Sequence, residues 1–87
     1  MDMVLKILRG ELIGRNIKAI HLKDRREIEG KVIDETKHTF VFETKKGRKS
    51  LVKARYAFEF PYGKKRVRIE GRYFDKRPDE RIKTRLG

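Results

Sequence analysis

The sequence predicts a small all-β domain, and three observations lead there. The chain has 87 residues, room for one hydrophobic core rather than two. Short runs rich in β-branched and aromatic residues follow one another with a period near two. Single glycines separate them, with no Pro/Ser-rich linker, repeat or low-complexity block. Five or six such runs in so short a chain are buried best by bending one antiparallel sheet strongly on itself. That is a small barrel of SH3-like or Sm-like type, here with short N- and C-terminal helices. The expected organisation is one domain over residues 1–87: a helical segment over 1–14, the barrel over 16–74 and a C-terminal helix over 77–85.

Each element has its own signal. Val4, Leu5, Ile7, Leu8, Leu12 and Ile13 recur at helical spacing around Lys6, Arg9 and Glu11, which predicts a short amphipathic helix ending near Gly10 or Gly14. Strands are expected over Ile17–Leu22, Ile28–Ile33, Thr39–Thr44, Lys49–Lys53, Tyr56–Phe60 and Arg66–Glu70. Alternation puts Phe40 with Phe42, and Val67 with Ile69, on buried faces, and turns Arg66, Arg68 and Glu70 outward. Lys45-Lys46-Gly47-Arg48 and Pro61-Tyr62-Gly63-Lys64 read as hairpin tips, each with a glycine able to take positive φ. Asp34 suits a turn in which its carboxylate accepts from backbone amides. Arg77 to Lys83 reads as a helix start, with Pro78 at the first helical position and carboxylates near the positive dipole end.

Charge narrows the function. Lys and Arg number 25 against 13 Asp and Glu, a net of +12, and a surface of that sign calls for a polyanion, nucleic acid first. Residues 1–44 hold nine basic and eight acidic side chains, whereas residues 45–87 hold sixteen and five, so nearly all the excess lies in the second half. The longest run without a charge is five residues, His38 to Phe42, far short of the ~20 needed to cross a bilayer; no membrane partner is expected. Asp2 and Lys6 interrupt any signal-peptide pattern, and there is no cysteine, so an intracellular, cytoplasmic location is expected.

The basic clusters are the primary candidates for phosphate contact: Lys45, Lys46, Arg48 and Lys49, then Lys64, Lys65, Arg66 and Arg68. Arg72, Arg77 and Arg81 extend the expected footprint, and Arg55, Lys76, Lys83 and Arg85 lie along it. Phe40, Phe42, Phe58 and Phe60 are assigned to the core; Tyr62, beside Gly63, is the better candidate to stack on a base, with Tyr56 and Tyr73 open. His21 and His38 follow no metal-ligand or general-base spacing, Ser50 is the sole serine, and the glycines form no phosphate-binding loop. No catalytic residue, metal ligand or bound cofactor is expected.

Several strings are more specific than a basic barrel. Glu11-Leu12-Ile13-Gly14, Glu29 to Thr39, Ala57-Phe58-Glu59-Phe60, Glu70-Gly71-Arg72 and Arg77 to Lys83 resemble, in order and spacing, archaeal ribonuclease P protein component 1, the archaeal relatives of the eukaryotic 29-kilodalton subunit. The resemblance runs from about Leu5 to Leu86. It implies an Sm-like barrel with terminal helices and a non-catalytic subunit of the particle that removes the 5′ leader from precursor tRNA, in which the RNA, with Mg2+ bound to it, performs hydrolysis. Implied partners are the specificity region of the ribonuclease P RNA, precursor tRNA within the complex, a zinc-binding 21-kilodalton-type subunit and the other proteins of the particle. The near-neutral first half, with Leu5, Leu8, Leu12, Ile13 and the strand around Gly30, is the expected protein-partner surface. The chain departs from the family where Arg55 and Tyr56 replace small residues and Val52 stands at a frequent proline. The alternative is an Sm-like RNA-binding protein that assembles into a homomeric ring.

Overall fold

The computed structural model describes residues 7–8, 10–77 and 80. Six strands, β1 (Asn16–His21), β2 (Glu27–Glu35), β3 (Thr39–Thr44), β4 (Gly47–Val52), β5 (Tyr56–Tyr62) and β6 (Lys65–Glu70), form the fold with two short 3-10 turns, Lys53–Arg55 and Gly71–Phe74. All pairings are antiparallel, and the strands lie in one sheet in the order β4-β3-β2-β1-β5-β6. The first four strands are a meander; β5 then returns to the free side of β1, which makes β1 central. Each expected strand is present, with β2, β4 and β5 running further than their alternation suggested.

Inward positions carry the core. Phe40, Phe42, Phe58 and Phe60 are fully buried as expected, joined by Ile17, Ala19, Val32, Leu51 and Ile69 from the other strands. Phe74, in the second 3-10 turn, closes the cluster: its ring lies 5.6–5.9 Å from Phe40, Phe58 and Phe60, and Phe40 meets Phe58 edge-on at 5.1 Å. Aromatic pairs in such arrangements add about 0.5–1.5 kcal/mol each beyond their burial. Ile7 and Leu8 are helical, and the Gly10 amide donates to the Ile7 carbonyl at 3.2 Å, ending that turn at the expected glycine. Residues 10–14, expected to continue the helical segment to Gly14, are bend and turn instead: the Gly14 amide donates to the Val32 carbonyl at 2.7 Å and Gly14 takes φ 93°, which ties this stretch to β2. Residues 1–6 and Arg9 of that segment, and the expected C-terminal helix over 77–85 apart from Arg77 and Glu80, lie outside the described residues.

The sheet does not close as a hydrogen-bonded barrel. β4 and β6 end the strand order, and no ladder joins them among the described residues. The two 3-10 turns that follow these strands pack on each other instead. Gly71 makes that approach possible: a Cβ there would overlap the Lys53 carbonyl oxygen, so only glycine brings the two backbones together. Gly30 plays the same part inside the bend, where a Cβ would lie 2.6 Å from the Glu43 carbonyl oxygen of β3. Backbone approach at Gly71 stands where the last ladder would, and Gly30 serves the bend within the β2–β3 pair.

A bulge sets the most consequential side chain. Val32 pairs with Phe42 but Asp34 with Val41, so Ile33 is extra in β2, and the strand changes phase. Glu35 thereby turns inward, and Asp34 stays out, its carboxylate accepting from the Glu35 amide at 2.8 Å. Opposite Glu35, Lys53 is fully buried, with Nζ 2.8 Å from Glu35 Oε2. The same ammonium donates to the carbonyls of Thr36 (2.7 Å), Lys37 (3.2 Å) and Lys76 (2.9 Å) and lies 4.8 Å from the Phe40 ring centroid. One cation thus ties together the β2–β3 turn, the first 3-10 turn and the chain beyond the second. A buried ammonium is tolerated only with such complete pairing.

The β1–β2 loop is fixed by its own side chains. His21 Nδ1 accepts from the Lys23 and Asp24 amides at 3.2 and 3.4 Å, and Asp24 accepts from the Arg26 amide at 3.0 Å and from its guanidinium at 2.8 Å. Arg25 takes a left-handed φ of 64°, a strained conformation for a long side chain.

Two outcomes follow. Lys53→Met, which leaves Glu35 without its cation and three carbonyls without their donor, lowers unfolding free energy by about 3–5 kcal/mol in denaturant titrations. Glu35→Gln costs less, because the carbonyl partners of the ammonium survive; the reverse order contradicts the clamp. The Arg26 amide, with its guanidinium adding attraction, holds the Asp24 carboxyl below its ordinary value. A carboxyl of that kind supports the loop above its unfolded pKa, and the support is lost as pH falls through the lower, folded value. Exchange of the Arg26 amide therefore accelerates in that acid window, and Asp24→Asn removes the pH dependence.

Candidate nucleic-acid interface

Both basic hairpins form where the sequence places them. In the first tip the Thr44 hydroxyl donates to the Gly47 carbonyl at 2.8 Å and accepts from the Lys46 amide at 3.1 Å, while Gly47 takes φ 108°. In the second, Gly63 takes φ 63°. Lys45, Lys46, Arg48, Lys49, Lys64, Lys65, Arg66 and Arg68 are all exposed. β3 runs in the same sense as β1 and β5 in the opposite sense, so the tips point opposite ways, but the register brings the ends of β3 and β5 both level with the start of β1. Lys45 and Arg66 line one shallow depression over Asn16, Ile17 and Gly30.

The surface between the tips is electrically balanced. Lys18 stands 3.4 Å from Glu27 and 3.6 Å from Glu29, and Arg66 is 3.8 Å from Glu59, so carboxylates alternate with cations across β2, β1, β5 and β6. Arg72 is paired with Glu70 at 3.2 Å, donates to the Tyr73 hydroxyl at 3.1 Å and covers that ring. Among the described residues no ion pair engages Lys45, Lys46, Arg48, Lys49, Lys64, Lys65 or Arg68. These uncompensated cations, held on rigid turns, are the groups able to displace counter-ions from a phosphate backbone. Arg77 is exposed, and Arg81 lies outside the described residues.

Other candidates fare differently. Leu8 and Leu12 are 0% exposed and belong to the core, so they offer no surface to a partner: the apolar stripe read as an interface covers the sheet's own end. Ile13 is 47% exposed; Gly30 faces β3 backbone; Leu5 lies outside the described residues. Tyr62 and Tyr56 are both half-buried against the core, and of the two Tyr56 also lines a concave surface. His21 serves the β1–β2 loop, and His38 Nδ1 meets Asp75 at 2.5 Å, joining the β2–β3 turn to the segment after Phe74. Among the described residues, no three His, Cys, Asp or Glu side chains gather as a cation site, and no helix is long and apolar enough to cross a membrane.

Sequence reasoning missed two groups. Lys53 stands at the end of the expected strand over Lys49–Lys53, between Val52 and Ala54, with no local signal of a partner, and only the bulge in β2 turns a carboxylate towards it. Lys23, Arg25 and Arg26 form a third exposed basic loop, hidden in the charge count by the acidic residues around them.

Comparison with known proteins agrees with this geometry. A family model described as "Ribonuclease P/MRP, subunit p29" matches residues 5–84. Proteins named "Ribonuclease P protein component 1" are similar along nearly their whole length. That of Methanocaldococcus jannaschii is 37% identical, over 92% of this chain and 87% of its own. The Methanothermobacter thermautotrophicus protein is 39% identical, over 92% and 90%, and that of Staphylothermus marinus 40% identical, over 85% of each.

Proposed function

Since the chain belongs to the ribonuclease P/MRP subunit p29 family, we propose that it is a protein component of ribonuclease P that binds the particle's RNA and supports removal of the 5′ leader from precursor tRNA. What carries this reading is the family match over residues 5–84 joined to two rigid hairpin tips bearing unpaired cations. The chain contributes electrostatics rather than chemistry. Its cations reduce phosphate repulsion within the folded RNA, so that the active shape forms at lower Mg2+; hydrolysis belongs to the RNA and the Mg2+ it holds. The specificity region is the RNA element we assign to the tips, and the compartment is the cytoplasm. The zinc-binding 21-kilodalton-type subunit docks on the near-neutral side, where Ile13 and Leu22 are exposed apolar residues; Leu8 and Leu12 reach that partner only through the core they fill.

Reversing charge at Lys45, Lys46, Lys64 and Lys65 together weakens binding to the ribonuclease P RNA. It also flattens the plot of log affinity against log salt by about 0.7–0.9 for each phosphate that the variant no longer neutralises. Filter binding at several salt concentrations reads both. An unchanged slope removes the tips from the interface.

A further inference from the structure

A second concave surface lies between β4 and the β1–β2 loop and shares Lys49 with the first basic cluster. It is a cleft of about 510 Å3, within the range of roughly 300–1,000 Å3 typical of ligand sites. Ile28 and Leu51 supply apolar lining, Tyr56 an aromatic ring, and Arg26 and Lys49 two cations. Glu27 and Ser50 also line it, and Glu27 is already engaged by Lys18 at 3.4 Å.

We propose that this cleft takes one unstacked base of a single-stranded RNA segment, with Tyr56 as the stacking surface and Arg26 and Lys49 on the flanking phosphates. The chemistry is that of a nucleotide: a flat apolar body between two anions. The parts are held in place beforehand. The His21 ring meets Tyr56 edge-on at 5.0 Å, fixing one wall, and the same His21 accepts the two amides that shape the β1–β2 loop. Arg26 is oriented by Asp24 at 2.8 Å. The strained backbone at Arg25 holds a third exposed cation beside Lys23 next to the cleft, where the phosphate chain continues past the bound base. His21 therefore positions both the stacking ring and the cationic loop, while Tyr56 and Arg26 touch the ligand.

This inference rests on the RNA-binding reading above, and the experiment separates the two. The protein has three tyrosines and no tryptophan, so Tyr62→Phe with Tyr73→Phe leaves Tyr56 as the sole emitter. That protein is titrated at low salt with a short single-stranded oligoribonucleotide and with an abasic oligomer of equal length and charge. The base-bearing oligomer binds at least about fivefold more tightly, the low end for one base on an aromatic ring, and quenches Tyr56; the abasic one binds without quenching. Tyr56→Leu abolishes the difference between the oligomers and keeps the salt dependence. Equal affinities in the parent protein, or binding with Tyr56 emission unchanged, overturn the cleft and leave RNA binding intact. Failure of both oligomers to bind also overturns the cleft, while the RNA-binding reading is decided separately by the same protein's titration with ribonuclease P RNA, whose failure alone overturns it.

Discussion

The ammonium of Lys53 is the point on which this small fold turns. Fully buried, it faces Glu35 and three backbone carbonyls from two separate segments, and the ladder that would close the sheet into a barrel is absent just where those segments meet. In most small β domains a last strand pairing, or apolar packing alone, seals that gap. Here a bulge in β2 turns a carboxylate inward, a 3-10 turn delivers the cation, and Gly71 lets the two turns touch backbone to backbone. The geometry is demanding because an ammonium taken from water needs every proton satisfied. That demand specifies one arrangement of the turns, and Phe74 fills the space they leave.

Rigidity at the closure matters for what the surface does. Carboxylates along β2 and β5 balance Lys18 on the central strand β1 and Arg66 on the edge strand β6, while the hairpin tips and the β1–β2 loop carry cations in excess. A flexible chain of the same composition would bind polyanions too, but it would lose more conformational entropy on binding and would fix no spacing between contacts. Setting the cations on turns locked by Thr44, Gly47, Gly63 and Asp24 converts net charge into a pattern. In the role we propose, such a pattern is what favours one fold of an RNA over others.

Much of this was legible in the sequence. Period-two alternation located all six strands, because each has one wet face and one buried face, and the glycines at 47 and 63 marked both tips through their need for positive φ. The phenylalanines of β3 and β5 were assigned to the core for the same reason. What escaped was non-local. Nothing near Ile33 announces a bulge, so strict alternation from Val32 leaves Glu35 facing outward, and nothing beside Lys53 in the sequence signals a carboxylate eighteen residues before it. Leu8 and Leu12 form a stripe whose periodicity is the same whether it covers the chain's own core or another protein. Closure of the barrel is expected from chain size, strand number and the family resemblance, and none of these distinguishes a ladder from two turns in contact. The paired state of Arg66 and Arg72 likewise depends on cross-strand and local carboxylates that a linear charge count does not register.

The most direct test of a non-catalytic, RNA-stabilising role is reconstitution with the ribonuclease P RNA, following cleavage of precursor tRNA across a Mg2+ series. Such a role predicts no cleavage by the protein alone at any Mg2+ concentration, and a lower Mg2+ requirement for the RNA when the protein is present. Leader removal by the protein in the absence of that RNA, or an unchanged Mg2+ requirement in its presence, would contradict it.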